Sequence, residues 1–173
     1  IREGNNVATY EDTWKSIFVN KSGLELTYCD AILGSMISGD MQDATAIVNR
    51  VKITKENLAD VIIVMGGLND YWSKKNVGTL ENDSLNQNDF ALALYMTLSE
   101  LKARNKTSTI IYSLILYDRN IDESEYDMAA RRICEALNVI YVPISEIPCI
   151  SWHPTKNGMQ RIADTLFAAL YAD

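Results

Sequence analysis

His153 is the only histidine among the 173 residues of this chain, so it is the only candidate for an imidazole base. It stands between Trp152 and Pro154, in a short turn that precedes a strongly periodic stretch. A neutral imidazole accepts a proton near neutral pH and can therefore serve as a general base. A lone histidine is also often a surface or structural residue, and that alternative remains open here.

A second polar pair follows an apolar run. The run Val61–Met65 predicts a strand that is buried on both faces of a parallel sheet. Gly66 and Gly67 allow the chain to turn sharply after it. Asn69 and Asp70 then fall just beyond the carboxyl end of the strand, where open α/β sheets bind ligands. The alternative is an ordinary β-to-α turn in which both residues are caps.

These two blocks need a scaffold, and the hydrophobic pattern predicts one. Helices are expected at about 9–23, 41–51, 90–101, 128–137 and 159–170, and strands at 24–29, 61–65, 110–116 and 139–142. Such regular alternation predicts a three-layer α/β/α fold with a parallel, flavodoxin-like sheet. The polar stretch 71–88 has no clear period, and a loop of this length is usually functional or mobile.

The composition restricts the function. A hydrophobic content of 47% suits one domain over residues 1–173. The formal net charge of −7 disfavours nucleic acid and anionic membrane surfaces as partners. No apolar stretch is long enough to cross a bilayer. Cys29, Cys134 and Cys149 lack metal-type spacing and leave an odd number to pair, so we expect reduced thiols and a cytoplasmic location. No cluster of metal ligands is visible in the sequence, so we expect no metal, and we expect no cofactor.

Together the two blocks resemble those of the SGNH hydrolases, also called GDSL-type esterases. That family carries a Gly-x-Asn-Asp block after its third strand and an Asp-x-x-His-Pro block before its last helix. Gly67-Leu68-Asn69-Asp70 and His153-Pro154 match these blocks, and Gly158 matches a glycine that commonly follows. The order and spacing of the elements agree with the family over nearly the whole chain.

The resemblance implies a serine esterase that acts on small acyl esters, with a carbohydrate deacetylase as one form of it. It implies that His153 is the general base. It also implies that the N–H of Gly34 and the side chain of Asn69 stabilise the oxyanion. A turn glycine that needs a positive φ is the alternative for Gly34.

Three further residues are candidate substrate contacts: Asp70, Trp72 and Trp152. A structural role is the alternative for Asp70, which would hold its loop by hydrogen bonds. Trp152, like Ser151, would alternatively shape the turn before His153.

The first departure from the family concerns the partner of the imidazole. Ile150 stands where the family has its acid, three residues before His153. A backbone carbonyl between Cys149 and Ser151 could orient the ring instead, without supplying a negative charge. Glu146 or another acid is a further alternative.

The second departure concerns the nucleophile. The family's Gly-Asp-Ser block is absent from these 173 residues, and Ile1-Arg2-Glu3-Gly4 resembles the residues that come directly after that serine in the family. We therefore expect a first strand and the nucleophilic serine directly before Ile1. Ser35, beside Gly34, is the only substitute we consider, and an ordinary turn serine is its alternative.

Two other functions compete with an esterase. The missing acid and nucleophile suggest a catalytically silent, SGNH-like binding domain. A flavodoxin-like phosphate or nucleotide binder is the other alternative, although no glycine-rich phosphate fingerprint is present. The leading expectation is a small-molecule acyl ester as substrate.

Overall fold

The computed structural model describes residues 7–53, 56, 59–80, 86–116 and 124–172. The described helices are α1 (Trp14–Ser22), α2 (Ile47–Arg50), α3 (Leu68–Trp72), α4 (Phe90–Arg104), α5 (Glu125–Leu137) and α6 (Lys156–Leu170). The described strands are β1 (Val61–Met65), β2 (Thr109–Leu116), β3 (Ile140–Ser145), β4 (Cys149–Ile150) and β5 (His153–Pro154). Short 3₁₀ turns occupy Tyr10–Asp12 and Val51–Ile53.

The chain divides into two compact units. One consists of residues 1–27 and 144–173, and the other of residues 28–143. The single domain expected from the sequence stays a prediction.

A parallel sheet organises the larger unit. β1 pairs with β2, so that Val61 lies opposite Thr109 and Met65 opposite Ser113. β3 follows β2 in the strand order, and the Ser113 hydroxyl donates to the carbonyl of Val142 at 2.9 Å. The carboxyl ends of parallel strands meet at one edge of a sheet, so the residues that follow β1 lie at that edge.

The core of the larger unit lies between the sheet and α4, which packs along α5. Its largest fully buried side chains are Tyr112, Phe90, Ile37, Leu94, Leu98 and Leu114. Burying an aliphatic or aromatic side chain of this size contributes roughly 1.5–3 kcal/mol. The residues that precede and follow the strands are therefore held by a well-packed scaffold.

β1 is less enclosed than the sequence predicts. Ile62 and Val64 are buried, but Val61, Ile63 and Met65 are only half-buried. Five consecutive apolar residues indicate that both faces of a strand are apolar. They do not indicate how completely each face is covered, because that depends on the neighbouring elements.

The strand predicted at 24–29 is not formed. This segment has no regular secondary structure, and Leu26 and Tyr28 are 41% and 49% exposed. The alternation of its side chains gives the segment an apolar face. A strand also needs a neighbouring strand with which its backbone can form hydrogen bonds. In the described ranges no strand pairs with this segment.

The helix predicted at 41–51 is shortened to α2. The Asp40 carboxylate accepts from the backbone N–H groups of Gln42 and Asp43, and the Asp43 carboxylate accepts from that of Thr45. Such local side-chain bonds compete with the helical ladder. The chain therefore turns through residues 40–46 before α2 begins at Ile47.

In the smaller unit α1 packs against α6. α1 ends at Gly23, which has a φ of 72°. An ion pair of 2.6 Å joins Lys21 to Asp164, and a second of 2.6 Å joins Lys156 to Asp12. In neither unit is a described helix both long and apolar enough to cross a bilayer.

Candidate active site

The turn after β1 requires both of its glycines. Gly67 has a φ of 106°, and a Cβ there would lie 2.8 Å from Leu114 Cδ1 and 2.9 Å from the Tyr112 hydroxyl oxygen. The Tyr112 hydroxyl donates to the carbonyl of Gly66 at 2.9 Å. A Cβ at Gly66 would lie 2.7 Å from Ile37 Cδ1. The chain thus turns against the core and begins α3 at once, which fixes the positions of the next residues.

Asn69 meets the segment that carries Gly34. Its Nδ2 donates to the carbonyl of Ser35 at 2.9 Å. Gly34 has a φ of 75°, and no atom of the described residues other than its chain neighbours lies within 4 Å of a Cβ added there. The two residues expected to act as oxyanion donors are therefore brought to neighbouring positions. Their role as donors stays a prediction.

Asp70 is fully buried and holds the segment after Ser35. Its Oδ2 accepts from the N–H of Ile37 at 2.8 Å, and its Oδ1 accepts from the N–H of Ser38 at 2.9 Å and from the Ser38 hydroxyl at 2.6 Å. Burial raises the pKa of Asp70 above its ordinary value, and the hydrogen bonds from Ser38 and Ile37 oppose that rise. The geometry supports the loop-holding role, and a direct contact of Asp70 with substrate stays a prediction.

Replacing this carboxylate should be costly for stability. In Asp70→Asn one oxygen becomes an NH₂ group, which faces a buried donor. We expect the free energy of unfolding to fall by about 2–3 kcal/mol, as for a buried polar group left without a partner. Urea unfolding measures this, with Asp60→Asn at an exposed aspartate as the control. Equal stabilities for Asp70→Asn and the wild type would contradict the loop-holding role.

An open pocket of about 230 Å³ lies beside Asn69 in the larger unit. Its wall combines apolar side chains with four polar residues, namely Asp30, Ser35, Arg50 and Asn69. The apolar part includes Ile32, Ile47, Met65, Leu68 and Ile115. A pocket of this kind suits a small, mainly apolar group that one or two polar contacts orient.

Sequence reasoning missed Arg50 and Asp30, which form an ion pair at this pocket. Arg50 Nη2 also donates to the Ser35 hydroxyl oxygen at 2.9 Å, and that hydroxyl donates to the carbonyl of Thr45 at 2.6 Å. These bonds favour the turn-serine interpretation of Ser35 over a substitute nucleophile. The two residues lie 20 positions apart and only Arg50 is on a helix, so the sequence pattern gave no signal for this pair.

His153 lies in the smaller unit, on a hairpin that the sequence did not predict. β4 and β5 pair antiparallel, with Cys149 opposite Pro154 and Ile150 opposite His153. The connecting residues Ser151 and Trp152 have φ values of 48° and 65°. Two left-handed residues between paired strands are typical of a type I′ turn. The half-buried imidazole is thus placed by backbone pairing rather than by a loose loop.

The hairpin determines which side chain lies beside His153. Ile150 is the cross-strand neighbour of His153. Directly opposite residues have Cβ atoms about 4.5–5.5 Å apart. An acid at position 150 would therefore lie beside the imidazole, and isoleucine leaves this place without a charge.

Gly158 fixes α6 against the same hairpin. A Cβ at this position would lie only 2.2 Å from the carbonyl oxygen of Pro148. The Thr155 hydroxyl caps the helix by accepting from the N–H of Gly158 at 3.2 Å, and the N–H of Thr155 donates to Pro148 at 2.9 Å. The glycine that comes after the His-Pro pair is therefore required by close backbone packing.

Of the remaining candidates, Trp72 at the end of α3 is 42% exposed and Trp152 is 58% exposed. Their substrate contacts stay predictions. Ile1–Gly4, where the sequence resembles the end of the nucleophile block, lies outside the described residues. His153 and Asn69 belong to different units, and their convergence on one pocket also stays a prediction.

Comparison with known proteins decides the family. The family model of the GDSL-like lipases/acylhydrolases matches residues 1–170. The chain belongs to this family. Membership confirms the GDSL-type resemblance and places the chain among ester hydrolases. No curated protein sequence matches it.

Solved structures agree with this GDSL-like membership. A candidate GDSL-like lipase from Bacteroides ovatus ATCC 8483 superposes with a TM-score of 0.84 at 20% identity, over 99% of this chain and 84% of that one. One from Bacteroides uniformis ATCC 8492 gives 0.84 at 22% identity, over 98% and 80%. An acetyl xylan esterase from the rumen bacterium Butyrivibrio proteoclasticus gives 0.63 at 14% identity, over 94% and 55%. At these identities the likeness shows the fold, and it confirms the predicted α/β class.

Proposed function

We propose that this GDSL-like protein is a serine esterase that hydrolyses small acyl esters. The observation that carries the proposal is the hydrogen bond from Asn69 to the carbonyl of Ser35 at the wall of the 230 Å³ pocket. This bond holds a side-chain amide at the carbonyl of the residue that follows Gly34, which supports the pairing of these two donors. Two N–H donors side by side are what a developing oxyanion needs.

In this proposal each residue has one task. The Asn69 amide uses one N–H for Ser35 and directs the other to the oxyanion, which Gly34 binds through its backbone N–H. His153 takes the proton of the nucleophilic serine as the serine oxygen bonds to the acyl carbon. It returns the proton to the alcohol as the ester C–O bond breaks. It then deprotonates the water that releases the acid. The nucleophile in this proposal is the serine that the family's Gly-Asp-Ser block supplies.

The pocket favours a short acyl group. Its volume of about 230 Å³ suits a small group, and the Arg50–Asp30 pair makes part of its wall polar. We propose that the acyl group is acetyl and that the alcohol is a carbohydrate, as the name of the acetyl xylan esterase states for that protein. The exposed indoles of Trp72 and Trp152 are suited to stack on a sugar ring.

A catalytically silent binding domain is the second candidate. Ile150 favours it, because the residue opposite His153 cannot stabilise an imidazolium. Such a domain would bind an acylated ligand without releasing the acyl group.

Rates on p-nitrophenyl acetate, butyrate and octanoate distinguish the two candidates. We expect the full-length protein to turn over acetate fastest and to release acetate from acetylated xylooligosaccharides. The His153→Ala protein, purified in parallel, shows any rate that comes from contaminating esterases. Saturable binding of the acetylated sugar without release of acetate would favour the silent domain.

A further inference from the structure

We propose that Arg50 is a positioning residue for the esterase, because it holds the turn that carries Gly34 at the pocket. This inference rests on the proposed function for its catalytic consequence. Whether Arg50 holds this turn in place is a property of the fold, and it can be tested without any substrate.

One guanidinium ties both ends of this turn. Arg50 Nη1 pairs with the carboxylate of Asp30, and Nη2 donates to the Ser35 hydroxyl at 2.9 Å. Nε donates to the carbonyl of Thr45 at 3.1 Å, the same carbonyl that accepts from the Ser35 hydroxyl. Asp30 and Ser35 flank Gly34, so Arg50 connects both flanks to the segment before α2.

Packing does little to place the Gly34 peptide. Gly34 is exposed, and apart from its chain neighbours no atom in the described part of the chain lies within 4 Å of a Cβ added to it. The bond from the N–H of Ser35 to the carbonyl of Ile32, at 3.2 Å, sets the shape of the turn but not its place on the unit. Among the hydrogen bonds of the described residues, that place depends on the contacts of Arg50, on the bond from the Ser35 hydroxyl to the carbonyl of Thr45 and on the bond from Asn69 to Ser35.

The next part of the segment has separate support. Ile37 and Ser38 are bound by the buried Asp70 carboxylate. The backbone of α2 adds bonds from Ile47 to Met36 at 2.9 Å and from Val48 to Ile37 at 3.1 Å. Loss of Arg50 should therefore loosen residues 30–35 and leave residues 37–38 and the core in place.

The chemistry of arginine fits this task. The side chain of Arg50 is 11% exposed and that of Asp30 is 32% exposed, so solvent screens the pair less than it screens a surface ion pair. A planar guanidinium presents donors in a rigid fork that can reach three acceptors at once. The charge of a lysine ammonium is concentrated on one nitrogen, so lysine can replace only some of these three bonds.

The experiment compares Arg50→Met, Arg50→Lys and Asp30→Asn in the full-length protein. We expect Arg50→Met to lower kcat on p-nitrophenyl acetate about 10-fold to 100-fold with KM changed less than about threefold, since a misplaced oxyanion donor weakens only the transition state. Arg50→Lys should recover part of the rate, and the pH profile should keep its shape. The matched control is Arg104→Met, which removes the Arg104–Glu100 ion pair of α4 and should leave kcat unchanged.

Hydrogen exchange by mass spectrometry provides the readout that needs no activity. In Arg50→Met the amides of residues 31–35 should exchange faster, and those of β1 and β2 should not. If the exchange of residues 31–35 is the same in Arg50→Met as in the wild type, the proposal is overturned. It is also overturned if these residues exchange faster in Arg50→Met but kcat equals that of an active wild type. If the amides of Arg50→Met exchange faster throughout the protein, the milder variants Arg50→Lys and Asp30→Asn replace it. They are judged by the same two measurements, the exchange of residues 31–35 and kcat. A wild type without esterase activity would refute the proposed function, and the exchange data would still decide whether Arg50 holds the turn.

Discussion

His153→Ala should lower kcat for ester hydrolysis by about 10³-fold or more. General base catalysis contributes about 10²–10⁴-fold, and the chain has no second histidine to take over the proton transfer. The loss should appear in steady-state rates on p-nitrophenyl acetate. Thermal stability should change little, because the imidazole is only half-buried on its hairpin.

The pH dependence gives an independent test of the same role. In the wild type the rate should rise with pH through one ionisation near neutrality, because only neutral imidazole accepts a proton. Asn157→Ala, at an exposed position in the first turn of α6, is the control and should leave the rate unchanged. Full activity in His153→Ala would rule out His153 as the base. Activity that a chelator abolishes in the wild type would contradict the expectation that no metal is needed.

Asn69→Ala should lower kcat by about 10²–10³-fold, the usual cost of one oxyanion donor. KM should change much less, because the proposed bond becomes strong only when the carbonyl oxygen gains charge. The measurement is the separate determination of kcat and KM on p-nitrophenyl acetate. Asn76→Ala, at an exposed asparagine shortly after α3, serves as the control.

A second variant at this position separates donation from shape. Asn69→Asp keeps the size of the side chain but replaces the NH₂ group with an oxygen that cannot donate and carries a negative charge. It should be at least as slow as Asn69→Ala. Wild-type kcat in either variant would make Asn69 a turn residue whose only task is its bond to Ser35.

Where a local pattern decides the structure, the sequence predicted it well. Val61–Met65 and Thr109–Leu116 are β-branched runs that form paired strands, and the periodic stretch before residue 170 forms α6. The two glycines after β1 are required by close contacts, as the turn prediction implied. The Gly-x-Asn-Asp and His-Pro blocks were enough to indicate the family.

Features that depend on distant partners were not predictable in the same way. The ion pair of Arg50 with Asp30 joins residues 20 positions apart, and no periodicity connects them. The alternation at 24–29 shows an apolar face but not whether another strand lies beside it. The aspartates at 40 and 43 bond to the backbone locally and override a helical pattern. In each case tertiary or side-chain bonding, rather than hydrophobic spacing, decided the outcome.

At the tip of the β4–β5 hairpin, the chain has strained backbone conformations and an exposed aromatic side chain. Ser151 and Trp152 both occupy left-handed backbone conformations that cost about 1–3 kcal/mol each for residues other than glycine, and that asparagine and glycine adopt with less strain. An Asn-Gly tip would hold the same hairpin at lower conformational energy, but it would present no aromatic surface. The chain instead keeps an indole 58% open to solvent one residue before His153. A thermostabilising redesign that began at this turn would thus gain its stability by removing a flat surface next to the proposed base.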